Sequence, residues 1–143
     1  MIDAKDLRLN NYVTIDNKES WPKVSGLPMQ VISISQIADE DFPNSNASIA
    51  LQYKNDLFNQ FNEFISPIKL TEEILIKAGF ESTQNGYWHN DKIEIGYTTT
   101  DEWFEYEYLS STSASTEMTA LKYVHQLQNL FYSLTGEELT INL

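Results

Sequence analysis

Two histidines, His89 and His125, are the only side chains whose ordinary titration falls near neutral pH, so they come first in any search for chemistry. Drawn on a helix, His125 lies beside Leu121, Gln128 and Tyr132, with Asn129 one turn on. That edge suits a polar and aromatic recognition surface. A general base is the sharper reading, but acid–base catalysis needs a positioned partner, and none stands nearby in sequence. A histidine at the margin of a core is the plainer reading. His89, Asp91 and Glu94 carry metal-ligating atoms, yet Asn90-Asp91 reads as a turn and the spacing fits no helical or ribbon metal motif. Glu105 and Glu107 share a strand face with Trp103. Carboxylates two residues apart on a strand lie roughly 6.5–7 Å apart, within the range of a glycosidase pair. A solvated strand face is the plainer reading, since nothing else in the sequence resembles a sugar-binding cleft. Gly-x-Ser-x-Gly, phosphate-loop and dinucleotide patterns are missing from a chain of only five glycines. No catalytic residue, metal or cofactor is assigned on these grounds.

The composition narrows the partners. Twenty-one acids against nine bases give a net charge of −12. Such a surface repels phosphate backbones and anionic lipid, so direct nucleic-acid and membrane binding are disfavoured. From Asp101 onward there are seven acids (Asp101, Glu102, Glu105, Glu107, Glu117, Glu137, Glu138) and one base, Lys122. Solubility accounts for this excess, and mimicry of a nucleic acid is the alternative. The chain has no cysteine, which excludes disulfides and thiolate chemistry. The segment Met1–Asp6 lacks the apolar stretch of a signal peptide, and no run approaches the ~18 apolar residues of a membrane span, so the expected location is the cytoplasm.

The elements that would position these residues read as an α+β protein. Leu7–Ile15, interrupted by the turn signal Asn10-Asn11, Met29–Ile37 and Ser48–Tyr53 are candidate strands. They predict an antiparallel N-terminal sheet over 1–66, with closure into a small SH3-like barrel as one option. Asp39–Asn46 reads as an exposed acidic loop. The second half, 67–143, forms either a separate lobe or part of one compact unit. Thr71 is placed to cap a short helix that ends at Gly79. A β-meander then runs from Tyr87 through Trp103–Leu109 to a Ser/Thr-rich loop, Ser110–Thr116. A long helix is predicted over Thr119–Leu134. Its apolar stripe, about 120° wide, takes in Ala120, Tyr123, Val124, Leu127, Leu130, Phe131 and Leu134, as for a helix laid on a sheet. The alternating tail Glu138–Leu143 reads as a last strand.

Lys122–Leu139, running Lys-Tyr-Val-His-Gln-Leu-Gln-Asn-Leu-Phe-Tyr-Ser-Leu-Thr-Gly-Glu-Glu-Leu, resembles the C-terminal signature of a family of small proteins from Bacteroidetes genomes, often carried in prophages or other mobile elements. Leu7–Val13 is similar to that family's opening segment and Pro67–Phe80 to its middle motif. The resemblance implies a genomic context and carries no catalytic residue with it. The functional expectation is therefore a non-enzymatic interaction or accessory protein. Leu121, His125, Gln128 and Tyr132 form its expected contact edge, and a protein partner or a second copy in a homodimer is its expected occupant. An acidic nucleic-acid mimic that inhibits a host nuclease or DNA-binding protein, and a small enzyme with a site near His125, are the alternatives.

Overall fold

The computed structural model describes residues 2–36, 47–98, 103–109 and 116–143. The chain divides into two compact units, Met1–Ile68 and Lys69–Leu143. The expected acidic loop Asp39–Asn46 lies outside the described residues, as does the expected Ser/Thr-rich loop from Ser110 to Ser115.

The first unit is a five-stranded antiparallel sheet. Its strands are β1 (Tyr12–Ile15), β2 (Met29–Gln36), β3 (Ala47–Tyr53), β4 (Asp56–Phe61) and β5 (Ile65–Pro67), in the order β4-β3-β2-β1-β5. The described ladders leave β4 and β5 as the two edges, so the sheet is open and the barrel closure considered from sequence is not formed. Val13, Ile15, Ile49, Leu51 and Ile65 are fully buried and form the centre of its core. Strand β2 departs from simple alternation. Met29 and Val31 face the core, the register slips between Val31 and Ser33, and beyond the slip Ile34 packs against the core instead. A bulge adds one residue to one strand, which exchanges the two faces from that point on. Leu7 is buried but not in a strand: Asn10 takes a left-handed conformation at φ 70°, which asparagine tolerates, and the strand begins only at Tyr12. Asn62, in a 3₁₀ turn between β4 and β5, is buried and accepts the Ala47 N–H at 3.2 Å, which ties that turn to the start of β3.

In the second unit, α1 (Glu72–Lys77) is set by its caps. The Thr71 hydroxyl accepts the Ile74 N–H at 3.3 Å, and Glu73 pairs with Lys77 at 2.9 Å along one face. At the other end Gly79 sits at φ +80°. The Gly79 N–H bonds to Ile76 and the Phe80 N–H to Leu75, with both Leu75 and Phe80 buried. This is the Schellman arrangement with its apolar contact. A β-carbon at Gly79 would touch nothing within 4 Å, so any penalty there is conformational. Gly79→Ala is expected to lower stability by about 1 kcal/mol. A thermal melt of that variant matching wild type would contradict the αL cap.

The strands β6 (Glu81–Ser82), β7 (Tyr87–His89), β8 (Glu94–Thr98), β9 (Trp103–Leu109) and β10 (Thr116–Leu121) pair in chain order as an antiparallel meander. Helix α2 spans Val124–Thr135 and ends at Gly136, φ 73°. It starts later than the periodicity predicts, at Val124 rather than Thr119, because Thr116–Leu121 pairs with β9, from Thr116 opposite Leu109 to Leu121 opposite Phe104. The side-chain carbonyl of Gln126 accepts the N–H groups of Lys122 and Tyr123 at 2.9 and 3.1 Å, and so fixes the first turn where it is. The tail is no strand. Leu139 and Ile141 are nonetheless buried, and the Asn142 N–H reaches the Lys77 carbonyl. No helix among the described residues is long and apolar enough to cross a membrane.

Candidate functional site

The four residues of the expected contact edge do not form one. Leu121 ends strand β10 rather than riding on the helix, and it is 1% exposed. His125 is 4% and Gln128 1% exposed, so both lie in the interior; Tyr132 alone is at the surface. The His125 ring lies parallel to Tyr123, 5.8 Å between centroids and 9° between planes. The physical cause is a rotation of the helix about its axis. Val124, Leu127 and Phe131 are buried as expected, but the buried face extends toward His125 and Gln128, away from Leu134, which is exposed. A general base must reach a substrate proton, and a ring packed in this way offers no face to one.

Strand register brings His89 and Glu94 directly opposite each other on β7 and β8, while Asp91 is exposed in the turn between them. That turn is organised by Asn90, whose side-chain carbonyl accepts the N–H groups of Lys92 and Ile93, both at 2.9 Å. No cluster of three metal-ligating side chains occurs among the described residues. Trp103, Glu105 and Glu107 fall on β9, where their side chains lie outside the described structure, as does the whole of Asp101. Glu137, one of the acids in the C-terminal excess, is paired with Lys92 at 3.1 Å.

The structure points instead to the first unit. A cleft of about 360 Å³ is lined there by Asn17, Ser20, Ser48, Asn59, Gln60, Phe61 and Phe64. This volume is at the lower end of the range for small-molecule sites. Three parts of the chain build it. The turn between β1 and β2 supplies Asn17 and Ser20, locked together because the Asn17 side chain accepts the Ser20 N–H at 3.0 Å. The β3–β4 hairpin supplies Ser48, Asn59, Gln60 and Phe61, with Phe61 opposite Ser48 and Asn59 opposite Ala50. The 3₁₀ turn supplies Phe64. Near the middle of the β1–β2 connection, Trp21 meets Phe58 of β4 edge to face, 5.3 Å between centroids, and so holds the turn against the strand.

Comparison with family models, with curated proteins and with solved structures finds no match for this chain.

Its chemistry is uniform. Among the described residues the lining carries two carboxamides from β4, one from the turn, two hydroxyls and two phenyl rings, with no acid, base or imidazole. Among the described residues the side chains of Ser48, Asn59 and Gln60 make no hydrogen bond within the protein, so their donors and acceptors are open to a ligand. None of these residues stands out in the sequence. The only signal for the hairpin is the polar Lys54-Asn55 pair between two apolar stretches, and Lys54 adopts φ 55° there, a conformation more usual for glycine or asparagine.

Proposed function

We propose that this chain is a non-catalytic binding protein, an accessory factor of the kind a mobile element would carry, and that its first unit holds an uncharged ligand in the cleft. The observation that carries this reading is the lining itself, in which none of the seven side chains titrates between pH 2 and 12. General acid–base catalysis needs a group that exchanges a proton near the working pH, and these carboxamides and hydroxyls lack a base to activate them. Carboxamides both donate and accept, and phenyl faces take apolar surface, so the site favours neutral groups that hydrogen-bond in both directions. Phosphates and carboxylates find no counter-charge in the lining and meet a chain of net charge −12.

The test is a titration of isotope-labelled full-length protein with a mixture of small uncharged amides, alcohols and benzyl compounds. The amide signals of Asn17 and of Asn59 to Phe61 should shift. The paired substitutions Ser48→Ala and Gln60→Ala should remove those shifts while changing stability by less than about 1 kcal/mol, because both side chains are only half-buried. Shifts confined to other residues, or displacement of the fragments by inorganic phosphate or a nucleotide, would sink the cleft as the binding site.

A further inference from the structure

The turn between β6 and β7 holds the only asparagine in the chain that is followed by glycine, Asn85-Gly86. Cyclic imide chemistry favours that order. The nucleophile is the backbone nitrogen of the following residue, and a β-carbon there would crowd its approach to the asparagine carboxamide. A β-carbon built at Gly86 meets nothing within 4 Å, so the space around this residue is open. Gln84, Asn85 and Gly86 are all exposed, and among the described residues the Asn85 side chain makes no hydrogen bond. Other asparagines are held. Asn90 accepts two N–H groups, both at 2.9 Å, and Asn17 accepts the Ser20 N–H at 3.0 Å. Asn11 and Asn62 are buried and accept the N–H groups of Arg8 and Ala47. Each of these four precedes a residue with a side chain.

What holds Gly86 is weak. Its N–H reaches the Thr83 carbonyl at 3.3 Å, beyond the usual range of such bonds. Thr83 closes the turn: its N–H donates to the Tyr87 carbonyl at 2.7 Å, and its hydroxyl accepts the Tyr87 N–H at 3.2 Å. Strand β6 beside the turn has two residues, both exposed, and stands last in the described strand order. Short, exposed edges are the parts of a fold that open at least cost.

We infer that Asn85 is a site of spontaneous deamidation, converted to isoaspartate and aspartate at a rate set by opening of the β6–β7 hairpin. Opening frees the Gly86 N–H, which loses its proton to solvent hydroxide. The nitrogen attacks the side-chain carbonyl carbon of Asn85. A C–N bond forms there and the bond to the carboxamide nitrogen breaks. That nitrogen takes a proton from water and leaves as ammonia. The resulting imide ring then takes up one water. Addition at the backbone carbonyl carbon gives isoaspartate, whose main chain runs through the β-carbon. Addition at the side-chain carbon gives aspartate. Nothing is oxidised or reduced. Either product adds a negative charge to a chain of net charge −12. Isoaspartate also adds one main-chain atom to the loop, which strains the bonds between Thr83 and Tyr87 and loosens β6.

The test holds the full-length protein in warm, mildly alkaline buffer and follows every asparagine by proteolytic digestion and fragmentation mass spectrometry. The mass change of an amide becoming an acid should appear at Asn85 at least about ten-fold faster than at any other asparagine, with isoaspartate and aspartate both present. Asn85→Gln, whose longer side chain closes a less favoured ring, should stay unchanged over the same time. A synthetic peptide of residues 81–89 should convert faster than the folded chain. Thr83→Ala, which removes a bond that closes the turn, should speed the folded chain by at least about two-fold. Faster conversion at another asparagine would overturn the site. Aspartate without isoaspartate would show direct hydrolysis and overturn the imide. A folded chain that converts as fast as the peptide, or a Thr83→Ala variant no faster than wild type, would overturn control by the hairpin.

Discussion

Leu127→Ala should lower the stability of the protein by about 2–5 kcal/mol. Leu127 lies in the middle of α2 with no exposed surface, between Val124 and Phe131 on the buried face. Truncation there removes three carbons from a packed interior and leaves a cavity that the neighbours fill only in part. The same substitution at Leu134, 42% exposed on the last turn, should cost less than about 1 kcal/mol. The contrast separates two descriptions of the helix. The periodicity of the sequence puts both leucines in one stripe and predicts a large loss for each. The structure rotates the helix toward His125 and Gln128 and predicts a large loss for one. Urea titrations of the two variants, read at equal m-value, decide between them.

That rotation also marks the limit of local periodicity. Spacing of apolar residues finds a helix well when nothing competes, as at Thr71 to Gly79, where cap, charge and glycine agree and the structure shows each in its expected role. At the start of α2 two patterns overlap. Ala120, Val124, Leu127 and Phe131 repeat as a helix should, while Thr116–Leu121 is equally able to alternate as a strand. Pairing with β9 settles the conflict, and a long-range pairing of this kind leaves no local trace. The tail of β2 is obscured in the same way, because a bulge cannot be seen from one strand when its partner decides the register.

The cleft is less legible than the fold, for a reason of chemistry. Catalytic and metal-binding residues advertise themselves by type, so a search by type goes to His89, His125 and the glutamates. Carboxamides, serines and phenylalanines occur everywhere in a folded chain. Asn17, Ser48, Asn59 and Phe64 become a site only when a turn, a hairpin and a 3₁₀ turn bring them together. The hairpin itself is hidden, since Leu57-Phe58 breaks alternation and the Lys54-Asn55 turn reverses the usual order of turn residues.

His125→Ala should cost about 2–4 kcal/mol and should leave self-association unchanged. The ring is 4% exposed and stacked on the half-buried Tyr123. It follows the buried Val124 on the helix and the buried Leu121 at the end of β10. Alanine removes an aromatic ring from that packing and leaves a cavity that the neighbours fill only in part, which destabilises. Had His125 stood on an exposed contact edge, the outcome would be the reverse: stability near wild type and a weakened complex. His125→Phe supplies the control, because it restores the ring and its stacking without the nitrogens. If phenylalanine recovers most of the loss, packing accounts for the residue; if it recovers none, hydrogen bonding by the imidazole does. A melt of His125→Ala within about 0.5 kcal/mol of wild type would show that the ring is not held in the interior, and would return Leu121, His125, Gln128 and Tyr132 to consideration as a surface.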